Sequence, residues 1–238
     1  MEYKKPKVTL LNATPLWISE GAGRVCYDSF DMSENEQVKS FPNVKEDIES
    51  SELLEKLSWV HHHESVLEHT SLSFYIQNVS REVIIEWNRH RIGMPTSQKS
   101  TRYTIEPLID AWVDLNDNFF SEDAHNAFEK VVKDNVIHND FEMIMIISDY
   151  LYKSLKRYHE EEPLVKGLTG SKKKKQNDRV KRCLPESWMT EGVWTFNLRA
   201  LKHFISLRGS GAAYPYIREL TQEIINATPD KYLRLVKK

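Results

Sequence analysis

Residues 89–103, RHRIGMPTSQKSTRY, place Arg89, His90, Arg91, Lys99 and Arg102 among Ser97, Ser100, two threonines and a tyrosine, with no acidic residue, in a chain of net charge -2. Guanidinium forks bind phosphate through two parallel hydrogen bonds, and hydroxyls can fill the remaining acceptor positions. The run reads as a cradle for a phosphorylated small molecule or, more plainly, as a solvated basic face. His90 lies between two arginines, and like charge favours its neutral form. A neutral imidazole there suits hydrogen bonding or packing against a cofactor ring better than acid catalysis.

Two further stretches carry chemistry. HHHESVLEH (61–69) mixes histidines with glutamates. The helical zinc pattern needs a second histidine four positions after the first, and the position four after His63 is Leu67, so that pattern fails. Another two-histidine, one-carboxylate site, or surface histidines near a helix end, stays open. WTFNLRALKHFISLRG (194–209) puts Asn197, Arg199, His203 and Arg208 on an apolar helix. Helical offsets bring Asn197, His203 and Arg208 into one broad sector with Arg199 beside it. Such side chains either snorkel to water or need partners. No Gly-rich dinucleotide fingerprint, phosphate loop or nucleophile elbow occurs, so side chains rather than a glycine loop must hold any nucleotide.

The elements that position these residues follow from periodicity. Residues 7–11 alternate as a strand, and Thr14-Pro15 reads as a cap and first turn of a helix through Tyr27. Leu53, Leu54 and Leu57 give a helical stripe within 49–65. Residues 70–78 alternate with Leu72, Phe74 and Ile76 on one face. Ser80 caps a helix carrying Val83, Ile84 and Trp87, which Gly93 and Pro95 stop. Residues 100–107 read as a second strand ending at Pro107. A long helical region, 121–160, breaks near Asn139-Asp140. Residues 166–182 read as a mobile basic loop, and 195–209 and 215–229 as helices.

The chain has 238 residues, a hydrophobic share of 40% and a charged share of 29%, which suits one globular domain with a sizeable core. No apolar run is long enough for a membrane span, and the N-terminus lacks a signal-peptide pattern, which points to a cytoplasmic protein. Cys26 and Cys183 form no metal or redox spacing and read as buried thiols. The near-zero net charge makes any basic patch local.

Taken together, the motifs resemble one family, the flavin-dependent thymidylate synthases. RHRIGMPTSQKSTRY is similar to its Arg-His-Arg, spacer, Ser-x-Arg-Tyr signature, and HESVLEH to its run of His-Glu, Thr or Ser, two variable residues and Glu-His before a strand. RVCYDS (24–29), NLRALKHFISLR (197–208) and LPES (184–187) resemble its first helix, its Asn-x-Arg helix and its Leu-Pro segment. The resemblance implies an α/β chain of the α+β type, 1–238 as a single domain with a mixed β-sheet flanked by helices, assembling as a homotetramer. It implies reductive methylation of dUMP, with methylenetetrahydrofolate as carbon donor, NADPH as reductant and bound FAD. By position, Ser65, Arg89, His90, Arg91, Asn197, Arg199 and His203 would hold FAD, with His63, Glu68 and Gln98 beside it. Glu86, Gln98, Ser100, Arg102, Lys181 and its neighbour Arg182 would surround dUMP. Arg208 would face the pyrimidine and stabilise its ionised form. No metal is implied, and no cysteine nucleophile.

The sequence departs from that pattern at its nucleotide side. The spacer between Arg91 and Ser100 is one residue longer than usual. Glu86 puts a carboxylate where it would repel a phosphate unless it meets the sugar hydroxyl or is itself paired, Lys181 stands where the family has Arg, and His203 replaces a common Asn. A variant flavoenzyme that modifies another pyrimidine nucleotide, for example by hydroxymethylation, is the alternative. A nucleic-acid-binding module built on SKKKKQNDRVKR is a third reading.

Overall fold

The computed structural model describes residues 4–238. In chain order, β1 (Lys7–Ala13) is followed by α1 (Trp17–Tyr27), α2 (Glu36–Lys39) and α3 (Glu52–Trp59). β2 (Ser71–Ser80) runs directly into α4 (Arg81–Trp87), and β3 (Thr96–Gln98) precedes α5 (Thr101–Thr104) and α6 (Glu106–Asp117). Next come α7 (Glu122–Asn135), α8 (Phe141–Glu161) and α9 (Gly170–Val180). β4 (Met189–Asn197) runs into α10 (Leu198–Arg208), and α11 (Pro215–Ala227) and α12 (Asp230–Val236) follow. The four strands form one sheet of order β1-β2-β4-β3.

The sheet is antiparallel where a mixed one was expected. β1 and β2 pair antiparallel from Lys7 with Gln77 to Ala13 with Leu72. Between β2 and β4, Leu198 N–H donates to the Thr70 carbonyl at 2.9 Å and the Ser73 and Thr195 hydroxyls meet at 2.8 Å, so the strands run in opposite senses. The β3 side does likewise: Asn197 N–H reaches the Gly93 carbonyl and Thr195 N–H the Pro95 carbonyl, both at 3.0 Å. The connections from β1 to β2 and from β3 to β4 each carry several helices, so they leave strand direction to side-chain packing.

The described residues form two compact units. One is mainly Asn78–Ile84 with Gln98–Thr190; the other combines Pro6–Gln77, Ile85–Ser97 and Glu191–Lys238. The first is a helical unit. Trp112, Phe128, Val132, Leu151, Leu155 and Trp188 form its core, and the Trp112 indole N–H reaches the Tyr152 carbonyl at 3.0 Å. Asp140 caps α8 by accepting from Glu142 N–H at 2.8 Å, which explains the helical break at 139–140.

Two segments of this unit differ from their sequence expectation. Residues 101–104, expected as a strand, are helical, and Pro107 opens α6 rather than closing a strand. Tertiary contacts override the strand propensity: buried Asn177 donates to the Arg102 carbonyl at 2.8 Å. The basic segment expected as a loop is helical over Gly170–Val180. Its anchors are polar. Lys173 pairs with Glu106, Lys175 with Glu162 at 3.1 Å, and the Gln176 amide bridges both backbone groups of Val165 at 2.9 Å. Cys183 is buried, which pushes its thiol up to about 11.

The second unit carries the sheet core. Leu72, Phe74 and Ile76 are buried as the alternation required. The Trp87 ring lies 4.7 Å from Phe196, 4.8 Å from Phe204 and 5.7 Å from Trp194 between centroids, which ties the end of α4 to β4 and α10. The helix expected over 195–209 starts at Leu198, because residues 189–197 are strand. α1 starts at Trp17 without a side-chain cap from Thr14. Asp47 accepts the Leu16 and Trp17 N–H groups at 2.6 and 3.3 Å instead. Cys26 is exposed, contrary to expectation, because it falls on the outer face of α1.

The same helix explains Arg24 in RVCYDS. Glu20 is fully buried and accepts from Arg24 Nε and Nη2, both at 3.2 Å, from Ser33 Oγ at 2.6 Å and from Asn35 Nδ2 at 2.9 Å. A buried carboxylate stripped of its cation is costly. Arg24→Met is expected to lower unfolding free energy by about 3–5 kcal/mol, measured by urea denaturation. The double variant Arg24→Met/Glu20→Leu should recover much of that loss.

Candidate active site

α4 ends at Trp87, and the turn that follows presents Glu86, Arg89, His90 and Arg91. Opposite it stands α10, whose last turn carries Arg208 and whose middle carries His203. The Arg208 side chain is only 12% exposed and meets the Glu86 carboxylate at 2.8 Å through Nη1. Its Nε donates to His90 Nε2 at 2.9 Å, and Nη2 reaches the Glu86 carbonyl at 3.3 Å. Arg89 also faces Glu86, at 3.4 Å. The carboxylate at position 86 is therefore paired with two cations.

His90 must accept from Arg208, so it has to be unprotonated on Nε2. Burial, then the charges of Arg208, His203 and Arg89, hold its imidazole below the ordinary range, against a smaller opposing pull from Glu86. The His90 ring lies 5.3 Å from Phe204 and 5.7 Å from His203. Arg89, His90, Arg91, Ile92, Met94, Ala200 and His203 line a cleft of about 260 Å³. Larger clefts, of about 740 Å³ beside Phe141 and about 470 Å³ beside Trp59, contain none of the sequence-predicted residues.

The longer spacer after Arg91 lies along β4. Gly93 has φ +69°, and a Cβ there would come within 2.4–2.9 Å of the Asn197 side chain, so glycine is needed on both counts. Asn197 spends its Oδ1 on capping α10, accepting from Ala200 N–H at 2.8 Å. Arg199 points away from the Arg208 junction, towards Glu68 at 2.6 Å. Lys202 reaches Glu64 and the Ser58 carbonyl and lies 3.9 Å over the Trp59 ring. Sequence reading missed this Lys202–Glu64 pair, because the partners lie far apart in the chain. Ser65 and His63 are exposed, and His63 Nδ1 lies 3.5 Å from the Tyr27 hydroxyl. Among the described residues, no three His, Cys, Asp or Glu side chains converge as a metal site, and no helix is long and apolar enough to cross a membrane.

The other predicted residues belong to the helical unit. Arg102 and Lys181 meet on Asp178: Arg102 Nε lies 2.8 Å from Oδ1, its Nη2 2.7 Å from Oδ2, and Lys181 Nζ 2.7 Å from Oδ1. The Arg102 and Lys181 hydrogen bonds hold the Asp178 carboxyl down at about 2. Ser100 and Gln98 are exposed, and the Ser100 carbonyl accepts from Tyr103 N–H and from the Thr104 hydroxyl, both at 3.0 Å. Arg182 is turned to a separate cleft with Tyr150 and Tyr158. Asp178 was also missed, although its spacing of three from Lys181 on a helix signals a pair.

Residues 9–231 match the family model described as thymidylate synthase complementing protein. The flavin-dependent thymidylate synthase of Wolinella succinogenes is 32% identical over 225 residues, covering 94% of each chain. That of Campylobacter jejuni is 31% identical over 229 residues, covering 95% of this chain and 93% of its own. The solved structure of thymidylate synthase X from Helicobacter pylori complexed with FAD and dUMP superposes with a TM-score of 0.71 at 25% identity, covering 97% of this chain and 98% of that one.

The His90 geometry has a pH consequence. Its folded-state pKa is depressed, so its contribution is present above the unfolded value of about 6.5 and is lost as pH falls through the folded value. Wild-type protein is expected to lose thermal stability relative to His90→Gln as pH is lowered from about 7 to about 5. A difference in melting temperature that stays constant over that range contradicts the neutral-acceptor role.

Proposed function

The chain belongs to the thymidylate synthase complementing protein family, the flavin-dependent thymidylate synthases, and from that premise we propose that it converts dUMP to dTMP, with methylenetetrahydrofolate as carbon donor, NADPH as reductant and bound FAD. The observation that carries the reading is Arg208, a nearly buried guanidinium fixed between a carboxylate and a neutral imidazole. Making a uracil ring nucleophilic requires negative charge to develop on its ring nitrogen and carbonyl. A cation already held in place stabilises that charge without reorganising.

The donor chemistry fits FAD. Arg89 and Arg91 open onto a cleft whose lining holds no carboxylate, beside the neutral His90 ring. Arginine forks there suit a diphosphate. In this proposal Ser65, Arg89, His90, Arg91, Asn197, Arg199 and His203 hold FAD, with His63, Glu68 and Gln98 next to it. When bound, FAD supplies the hydride and carbon transfer that side chains cannot perform. His90 works as the acceptor that orients Arg208. Arg102 and Lys181 hold the dUMP phosphate with the exposed Ser100 hydroxyl, and Gln98 and Glu86 flank the nucleotide. The pairing of Glu86 with Arg208 and Arg89 removes the objection that it would repel a phosphate. The separate cleft of Arg182 favours Lys181 as the phosphate ligand.

The reading extends to a cytoplasmic homotetramer of a single-domain chain with shared sites. Exposed Ser65 and His63 suit side chains that complete a site in another subunit. The nucleic-acid-binding reading weakens, because Lys173 and Lys175 of the lysine run are already paired with glutamates.

Purified protein is expected to show flavin absorbance bands and to form dTMP from dUMP, methylenetetrahydrofolate and NADPH. Arg208→Ala should keep its flavin while turnover falls by about 10²–10³. A colourless protein that FAD does not reconstitute sinks the function, and near-normal turnover of Arg208→Ala removes the role given to that residue.

A further inference from the structure

The helical unit contains a carboxylate that the proposed reaction leaves without a task. Asp178 sits in the last turns of α9, and both cations assigned to the substrate phosphate converge on it. Arg102 meets it by the two-bond fork, Nε to Oδ1 and Nη2 to Oδ2, and Lys181 shares Oδ1. One oxygen thus fixes the separation of a guanidinium and an ammonium. Arg102 Nη1 takes no part in this fork, the Tyr103 side chain also engages the guanidinium, and Lys181 has further ammonium protons to offer an acceptor. The three side chains are 45%, 33% and 36% exposed for Arg102, Asp178 and Lys181, so a ligand can reach the far side of the pair.

We propose that Asp178 is a positioning residue for dUMP: it holds Arg102 and Lys181 in one orientation, with their outer donors presented to the nucleotide phosphate. The inference rests on the reading of those two cations as phosphate ligands. Arg and Lys side chains each lose considerable rotamer freedom when a ligand immobilises them. A carboxylate that has already immobilised both removes that cost from binding. Two cations and one carboxylate leave the cluster at net +1, which still attracts a phosphate. Asp178 stays ionised throughout the neutral range, so the brace does not depend on pH there. The backbone is held separately, because Asn177 and not Asp178 donates to the Arg102 carbonyl. Loss of the Asp178 charge therefore frees the guanidinium without unhooking α5. Lys174, one turn earlier on α9, lies 5.6 Å over the Tyr103 ring and extends the positive side of this face.

The test uses the FAD-loaded full chain and titrates it with dUMP and with deoxyuridine, which lacks the phosphate. Asp178→Asn keeps the shape and removes the charge; Asp178→Glu keeps the charge. Asp178→Asn is expected to weaken dUMP binding about tenfold or more. Deoxyuridine affinity and flavin content should stay unchanged, kcat at saturating dUMP should stay near wild type, and Asp178→Glu should restore part of the affinity. Unchanged or tighter dUMP binding by Asp178→Asn overturns the proposal, the tighter result marking Asp178 as a competitor of the phosphate. Equal weakening of dUMP and deoxyuridine also overturns it, because the effect would then be general to the fold. If wild-type protein binds no dUMP at all, the proposed function fails instead.

Discussion

A guanidinium that is to act on a ligand has to be held without being used up, and Arg208 shows how that is arranged. Its Nη1 meets the Glu86 carboxylate, its Nη2 the Glu86 carbonyl, and its Nε the lone pair of His90. The third contact sets a condition on everything around it. An imidazolium has no lone pair to offer, so His90 must stay neutral, and burial first, then Arg208, His203 and Arg89, hold its imidazole below the ordinary range. Behind the junction, the packing of Trp87 against Phe196 and Phe204 fixes the end of α4 that carries Glu86. Aromatic packing of that density allows little adjustment, so the polar contacts in front of it inherit a fixed spacing.

The same device recurs at four more of the cations assigned to a ligand. Arg199 lies on Glu68, Arg102 and Lys181 on Asp178, and Arg89 on Glu86. Exposed pairs of this kind add little to stability. Their effect is geometric: each long side chain has one orientation before a ligand arrives. This accounts for a chain that concentrates cations locally while its net charge is only -2. The carboxylates that balance the arginines and lysines stand beside them in space.

How much of this was legible in the sequence depends on the range of the interaction. Period-two burial of Leu72, Phe74 and Ile76 and the helical break near Asn139-Asp140 are local, and both appear where the pattern put them. The motif residues Arg89, His90, His203 and Arg208 could be named from type and spacing, and the structure brings those four together at one junction. Residues 101–104 and 170–180 were misread, because their helices are held by partners distant in sequence: Asn177 on the Arg102 carbonyl, and Glu106 and Glu162 on the lysines. The antiparallel sheet, the Lys202–Glu64 pair and the Asp178 clamp were out of reach for the same reason. Charge could be counted from the sequence, but its partners could not.

The departures from the family pattern become intelligible as coupled positions. Glu86 looked unfavourable beside a phosphate when read alone. With Arg208 at 2.8 Å and Arg89 at 3.4 Å it is the anion on which two guanidiniums converge. Once Glu86 and Arg208 are paired, the remaining Nε donor finds its acceptor in the neutral His90 ring. His203 then adds repulsion against protonation of His90 instead of the neutral dipole an Asn would offer. Lys181 is a point charge where a fork is usual. Sharing the Asp178 oxygen with Arg102 gives that point charge a direction which its own flexible stem does not provide. Glu86, His203 and Lys181 are thus each matched by specific neighbours, and those neighbours are other members of the same two clusters.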